Sequence, residues 1–165
     1  MGADTAALLL RVVIGVVMVL HGANHLKTLE GTTKWFASIG LKPPRVHALM
    51  SGVTEVGAGA ALMAGLLTSL ECAAVVGVMT VAFVTVHRKN GFFIFRPGEG
   101  YEYVVTLAVA AVALGALGPG KYSLDRALGI DGDLDGGVGL ALSAGLGIVG
   151  AAALLAACWR PVAKP

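Results

Sequence analysis

The sequence predicts an all-α protein, a polytopic membrane bundle of transmembrane helices. Of its 165 residues, 56% are hydrophobic and 13% are charged, whereas soluble domains have roughly 45–50% apolar and about 25% charged residues. Five apolar stretches approach the length of about 20 residues that crosses a bilayer. The net charge of only +2 provides no basic surface for nucleic acid. We therefore expect the lipid bilayer, and not nucleic acid, as a partner.

Each of the five candidate spans contains at most one charged residue. Arg11 lies inside the first span and Glu55 inside the second, and the fifth has no charge at all. No Lys or Arg precedes the first span, so we expect a retained helix and not a cleaved signal peptide. The predicted spans cover residues 5–26, 47–67, 70–87, 101–117 and 138–158.

Lys and Arg residues in the short loops predict the orientation of the chain. Nine of them fall in the first loop, the third loop and the C-terminal tail, and two fall on the other side. We therefore expect the N-terminus outside, the C-terminus in the cytoplasm, and the acidic run from Asp131 to Asp135 outside. The nine residues are Lys27, Lys34, Lys42, Arg45, Arg88, Lys89, Arg96, Arg160 and Lys164, and the two are Lys121 and Arg126.

Small residues recur at a four-residue spacing on two of the predicted spans. This spacing lets helix backbones approach closely, where van der Waals packing replaces the missing hydrophobic driving force. A composition rich in Gly and Ala also produces such stripes by chance. The stripes are Gly57, Ala61 and Gly65 on the second span and Gly139, Ser143 and Gly147 on the fifth.

Arg11 and Glu55 are predicted to form an intramembrane ion pair, directly or through water. A charged residue in a span costs about 2.5–3.5 kcal/mol on insertion scales and needs a partner or a water-filled cavity. At 1.5 Å per residue, the two Cα atoms differ in depth by about 9 Å, a gap that two long side chains nearly close. Asp125, in the last loop, is a second group that can fold back toward Arg11.

All four histidines fall at the predicted cytoplasmic ends of helices: His21, His25, His47 and His87. Three interpretations stay open. The imidazole rings can lie at the membrane interface and be solvated by water. They can form, with Glu55, a pocket that binds the carbonyls of a quinone-like head group and relays protons, since His exchanges protons near neutral pH. Finally, the His-x-x-x-His spacing puts two imidazoles on one helix face, as in a metal site, although no adjacent pattern supplies a third ligand.

Residues 87–100 join the third and fourth spans at the histidine level. Four bulky apolar residues, 92–95, stand between basic flanks with Gly and Pro breakers. The segment is either an anchor among anionic head groups or a lid over the polar cluster, where non-helical backbone is tolerated. As a lid, it would bring Asn90 and the nearby Glu102 to the cluster.

The two cysteines exclude one redox mechanism. Cys72 is expected near the outer end of the third span and Cys158 near the inner end of the fifth. That separation far exceeds the roughly 7 Å between Cα atoms that a disulfide allows. A membrane dithiol oxidase working through its own cysteines is therefore excluded. The sequence also contains no motif for metal, haem, flavin or an iron–sulfur cluster.

Several short motifs carry a family resemblance by their order and spacing. They are Leu9-Leu10-Arg11, His21-Gly-Ala-Asn-His-Leu-Lys27, Gly40-Leu-Lys-Pro43, Glu55 followed by Gly57 and Gly59, Asn90-Gly-Phe-Phe93, Glu102, and Gly118-Pro-Gly-Lys-Tyr-Ser-Leu-Asp125. Together they resemble the DoxX family of small bacterial membrane proteins, over residues 5–128.

The resemblance implies a four-helix DoxX-like bundle in residues 1–128. Residues 129–165 are then an addition, with an acidic outer loop, a fifth transmembrane helix and a short cytoplasmic tail.

The resemblance also implies an integral subunit of the bacterial inner membrane linked to quinone or thiol redox metabolism, with a quinone as cofactor. Some relatives resemble the membrane subunit of a thiosulfate:quinone oxidoreductase. No catalytic residue is carried over. The expected ligand-binding residues are His21, His25, Glu55, Asn90 and Glu102.

The alternative is a non-enzymatic membrane scaffold or assembly partner of a larger complex, because other relatives resemble assembly factors. Both hypotheses require association with a partner protein or with further copies of the chain. In the redox hypothesis, the electrons come from a partner because the chain shows no redox-cofactor motif.

Overall fold

The computed structural model describes residues 1–162, in which the regular secondary structure is helical. Lys164, one of the basic residues that predict the orientation, lies outside the described residues. The helices are α1 (Gly2–Lys27), α2 (Leu29–Ser38), α3 (Pro44–Ala64), α4 (Thr68–His87), α5 (Glu102–Leu117), α6 (Leu124–Leu128) and α7 (Gly136–Cys158). Helix α4 is π-helical over Phe83–His87, and α7 contains a π-helical segment over Ala141–Leu146.

The predicted all-α membrane bundle is confirmed. Within residues 1–162, helices α1, α3, α4 and α7 are long and apolar enough to cross a membrane. Helix α5 is apolar but has only 16 residues, about 24 Å at 1.5 Å per residue. Each of the five predicted spans coincides with one of these helices to within a few residues.

Residues 29–38, expected as part of a polar loop, form helix α2. Its buried residues, Thr32 and Phe36, lie four positions apart on one face. Phe36 packs with Leu41 and Ala48 into a small apolar core, which Leu154 of α7 also contacts. This core closes the end of the bundle that carries the four histidines, hereafter the histidine end.

Helices α1 and α3 pack side by side through glycines spaced seven residues apart on each helix. A Cβ atom on Gly15 would lie 2.6 Å from the carbonyl oxygen of Gly59, and one on Gly22 would lie 2.7 Å from that of Gly52. The two backbones are therefore in direct contact. The predicted stripe on α3 is wrong at Gly57, which faces open space, because it lies about 200° around the helix from Gly59.

Helix α7 packs on α4 and α5, and the predicted stripe on it is confirmed. A Cβ atom on Gly147 would lie 2.7 Å from the carbonyl oxygen of Ala73 in α4. Gly139 lies against the backbone of Gly115 in α5, and Ser143 is fully buried beside the same glycine. The fifth span is therefore packed into the bundle along its small-residue face.

The end of α7 is tied to the segment that joins α2 and α3. Trp159 Nε1 donates a hydrogen bond to the carbonyl oxygen of Ile39 at 2.8 Å. The backbone N–H of Lys42 donates to the carbonyl oxygen of Cys158 at 2.9 Å. These bonds hold the last turn of α7 at the histidine end.

The predicted ion pair between Arg11 and Glu55 is wrong. Arg11 is fully buried, and its Nη2 donates to the carbonyl oxygen of Tyr122 at 2.6 Å. Glu55 instead accepts a hydrogen bond from Ser51. The physical reason is direction: side chains on a helix tilt toward its N-terminus, and α1 and α3 run antiparallel. The two side chains therefore extend toward opposite ends of the bundle.

Asp125 caps the start of α4 at the end of the bundle where Arg11 lies. Its carboxylate accepts hydrogen bonds from the backbone N–H groups of Leu67 and Thr68 at 2.6 and 2.9 Å and from Thr68 Oγ1 at 2.7 Å. Its own N–H donates to the carbonyl oxygen of Gly65 at 2.8 Å, and the Arg11 guanidinium occupies the space beside Gly65. The loop thus folds back toward Arg11, and a negative charge sits at a helix N-terminus.

Replacing Gly59 by Ala should destabilise the bundle, whereas the same change at Gly57 should not. The added methyl group at position 59 meets the Gly15 carbonyl oxygen, and overpacking of this kind costs about 1–3 kcal/mol. The gain in helix propensity is the same at both positions and cancels in the comparison. Unfolding of the two variants in mixed detergent micelles measures the difference, and equal midpoints would contradict the contact.

Asp125→Asn should lower the free energy of unfolding by about 1–3 kcal/mol, because the amide retains one acceptor oxygen for donors that now contact both carboxylate oxygens. The exposed Asp133 is the matched control, and Asp133→Asn should leave stability unchanged. Denaturant midpoints report both variants. An Asp125→Asn protein as stable as the control would show that the cap contributes nothing.

Candidate functional site

A cavity of about 530 Å³ occupies the histidine half of the bundle, bordered by α1, α3, α4 and α7. It lies between the main apolar core, around Ile14, Val75 and Leu114, and the smaller core under α2. Five predicted polar residues line it together: His21, His25, His47, Glu55 and His87. The structure therefore brings together imidazoles and a carboxyl group that lie far apart in the sequence.

Glu55 is the buried acid of the cavity, with 3% of its surface exposed. Helix α1 approaches so closely that a Cβ atom on Gly22 would lie 2.7 Å from the Glu55 Cβ. Ser51, one turn earlier on α3, donates a hydrogen bond to Oε1, and His25 Nε2 lies 3.8 Å from the same oxygen. Since a buried carboxyl group needs several partners, Glu55 has hydrogen-bonding capacity left for a ligand.

His25 is held in place by aromatic side chains of α2. Its ring stacks on Trp35, with centroids 6.1 Å apart and an interplanar angle of 17°. Phe36 meets the same ring edge-on at 6.1 Å. Such contacts fix the orientation of a ring without using its nitrogen atoms. The imidazole of His25 therefore presents Nε2 to Glu55.

His21 lies one turn before His25 and stacks on Tyr103 of α5, with centroids 6.1 Å apart and an angle of 24°. Tyr103 also lines the cavity. Across residues 1–162, the His21 nitrogen atoms and the Tyr103 hydroxyl form no hydrogen bond with a protein group. Both side chains can therefore donate or accept hydrogen bonds toward a molecule in the cavity.

His47 and His87 have one ring nitrogen each bonded to the backbone. His47 Nε2 donates to the carbonyl oxygen of Lys42 at 3.2 Å, and His87 Nδ1 donates to that of Glu99 at 2.8 Å. These bonds fix which nitrogen carries the proton in the neutral ring. The two residues anchor the segments before α3 and α5 at the cavity wall.

Asn90 and Glu102, the other two predicted ligand residues, do not line this cavity. Asn90 Nδ2 donates to the carbonyl oxygens of Val86 and Glu99 at 3.2 and 3.1 Å, so its amide ties the loop together. Glu102 lines a separate, more open hollow next to Phe92. From the loop itself, Ile94 and Glu99 reach the cavity wall. Asn90 and Glu102 therefore lie at the end of the bundle predicted for them, but their side chains do not line the cavity.

The remaining wall is apolar, and both π-helical segments border it. The segment in α4 contributes Thr85 and His87, and the segment in α7 ends at Leu146, which also lines the cavity. π-Helical turns are frequent at functional sites, and one extra residue in a turn rotates the following residues to a new face. Farther along α7, Gly150 and Leu154 complete this wall.

The side chains favour some kinds of chemistry over others. Among residues 1–162, no three His, Cys, Asp or Glu side chains are grouped so that they could hold a metal ion. Cys72 is a buried free thiol and Cys158 a half-buried one. What the cavity offers is imidazole, carboxyl and phenol groups beside aromatic and aliphatic walls. This set can hydrogen-bond the polar groups of a flat, largely apolar molecule and exchange protons with it.

Four residues of the site described above were not among the sequence predictions: Ser51, Trp35, Phe36 and Tyr103. The spacing of Ser51 and Glu55, four residues apart, places both on one helix face and could have indicated the first. The Trp35–Phe36 pair stands in a segment that is otherwise polar, so its role became visible only with α2. Tyr103 follows Glu102 directly, and its position depends on how α5 is rotated.

Comparison with known proteins identifies relatives of the chain. The family model of DoxX matches residues 6–88, which run from the first turns of α1 to the end of α4 and include all five polar residues named above. A Bacillus subtilis (strain 168) protein named "Putative oxidoreductase CatD" is 29% identical over 111 residues, or 67% of this chain and 79% of the relative.

No solved structure matches the chain. The family match covers half of the sequence and contains the helices that form most of the cavity, whereas α5 and α7 lie beyond it. The helical membrane bundle and this match lead to one conclusion: the chain belongs to the DoxX family.

Proposed function

We propose that this DoxX protein is a membrane subunit of a redox system and binds a quinone-like head group in the histidine cavity. The observation that carries the proposal is a buried carboxyl group, Glu55, 3.8 Å from the His25 imidazole, at the polar part of a mainly apolar cavity. The relative named as an oxidoreductase supports the redox assignment.

The cavity has the groups that a quinone ring requires. Each quinone carbonyl accepts hydrogen bonds, and His25, Tyr103 and protonated Glu55 are donors. Trp35 and Phe36 provide aromatic surface beside His25. Reduction of a quinone to a quinol consumes two electrons and two protons; a carboxyl group and an imidazole can deliver the two protons to the carbonyl oxygens.

The two electrons come from outside the chain, because the sequence has no motif for a flavin, haem or iron–sulfur cluster. We therefore propose a partner protein that carries a redox cofactor and transfers electrons to the quinone bound here. In this arrangement the DoxX chain supplies the quinone site and the protons, and the partner supplies the reducing equivalents.

We also propose that the histidine end faces the cytoplasm of a bacterial cell, with the N-terminus outside the inner membrane. The positive-inside rule supports this orientation, since basic residues are concentrated in the segments at the histidine end. Protons taken up by Glu55 and His25 then come from the cytoplasm. The basic residues that flank this end are Lys27, Lys34, Lys42, Arg45, Arg88, Lys89, Arg96 and Arg160.

His25→Phe should weaken quinone binding about 10-fold, because the ring keeps its stacking contacts but loses its hydrogen bond. A factor of 10 corresponds to about 1.4 kcal/mol, within the range of one hydrogen bond. A fluorescence titration of the detergent-purified protein with a short-chain ubiquinone analogue gives the dissociation constant.

Glu55→Gln and Glu102→Gln provide a matched pair for the carboxyl group. Both changes remove one acid, but only Glu55 lies in the cavity, so only Glu55→Gln should alter quinone affinity or its dependence on pH. Equal affinities in wild type, His25→Phe and both Gln variants would remove the assignment. Complete absence of quinone binding, together with a stable co-purifying protein, would favour the scaffold hypothesis.

A further inference from the structure

We infer that the molecule bound in the histidine cavity enters sideways from the bilayer, through a gap between α3 and α7. The gap, hereafter the portal, is bordered by Met50 and Thr54 on α3 and by Leu146 and Gly150 on α7. The inference deepens the proposed function, on which it rests, and assigns the ligand to the amphiphiles with a polar head and a long apolar tail.

The portal exists because α7 packs against other elements along its length. α7 contacts α4 along most of its length and α5 in the half far from the histidines. At the histidine end, Leu154 and Trp159 pack on the small core under α2. Within residues 1–162, α7 is not closely packed against α3, so a gap remains between these two helices beside the cavity.

The residues on the two sides of the portal are exposed although they line the cavity. Met50 is 50% exposed and Leu146 is 51% exposed, and Thr54 and Gly150 are exposed as well. All four also belong to the cavity wall. The cavity therefore opens toward the apolar surface of two membrane-spanning helices, where the surrounding solvent is lipid.

The portal lies at the same depth in the membrane as the carboxyl group of Glu55. Thr54 and Glu55 are neighbours on α3, so a head group at the Glu55 carboxyl is level with the opening. The π-helical turn that ends at Leu146 lies between the part of α7 that contacts Gly115 and the part that borders the portal. It therefore turns different faces of the helix toward these two neighbours. By contrast, α2 and the loop residues Ile94 and Glu99 line the cavity on the side that faces the aqueous phase. The apolar side is thus the direct route for a lipid-soluble molecule.

A photoreactive fatty acid tests the portal without any quinone. The protein is placed in phospholipid vesicles with a fatty acid whose chain carries a diazirine, illuminated, and mapped by mass spectrometry. Insertion at Val78 and Val81, which face the cavity from α4, is compared with insertion at Leu9 and Val13, each 60% exposed on the outer face of α1.

Two glycines of α7 give matched variants. A Cβ atom on Gly150 or on Gly145 would meet no atom within 4 Å, so both positions have room for a Phe, but only Gly150 borders the portal. Gly150→Phe should lower the ratio of cavity to surface labelling at least fivefold, and Gly145→Phe should change it less than twofold.

The portal inference is overturned if Val78 and Val81 remain unlabelled in the unsubstituted protein, or if Gly150→Phe leaves the labelling ratio unchanged. Its failure is distinguishable from failure of the quinone proposal. Labelling with the expected pattern in a protein that binds no quinone keeps the portal and replaces the ligand by another amphiphile. Quinone binding without cavity labelling keeps the pocket and removes the portal.

Discussion

The direct backbone contact between α1 and α3 is the constraint on which the site depends. In a bilayer, helices associate through close van der Waals packing, and Gly15, Gly22, Gly52 and Gly59 allow it here. The contact at Gly22 places the Glu55 side chain against α1, one turn from His25. A larger residue at Gly22 would push apart the carboxyl group and the imidazole that define the polar part of the cavity.

The two buried ionisable side chains of the membrane-spanning helices α1 and α3, Arg11 and Glu55, have different surroundings. Arg11 is enclosed at one end by the loop after α5, where Tyr122 accepts its hydrogen bond and Asp125 lies in the same buried layer. Glu55 has one short-range partner, Ser51, and an imidazole just beyond hydrogen-bond distance. Among the described residues, Nε and Nη1 of Arg11 also lack a hydrogen-bond partner, but Arg11 does not line the cavity, whereas Glu55 does. Because burying an ionisable group in a membrane is costly, the position of Glu55 on the cavity wall is what we expect of a group that binds a ligand.

The depth of a residue in the membrane could be predicted from the sequence, but the direction in which its side chain points could not. The ends of apolar stretches fix which residues share a level, and the four histidines and Glu55 do meet in one cavity. Glu102 and Asn90 share that level but point elsewhere, because the rotation of α5 and the folding of the 88–100 loop depend on tertiary contacts. The Arg11–Glu55 prediction used Cα depth alone and neglected that side chains on antiparallel helices tilt in opposite directions.

The most direct measurement of the quinone site is photoaffinity labelling with an azidoquinone, followed by mass-spectrometric mapping of the modified residues. The structure predicts that the label concentrates on residues 21–25 of α1 and 51–55 of α3, and that excess unmodified quinone removes it. A label spread over lipid-facing residues such as Leu9 and Val13, with none on those two segments, would contradict a head-group site at Glu55 and His25.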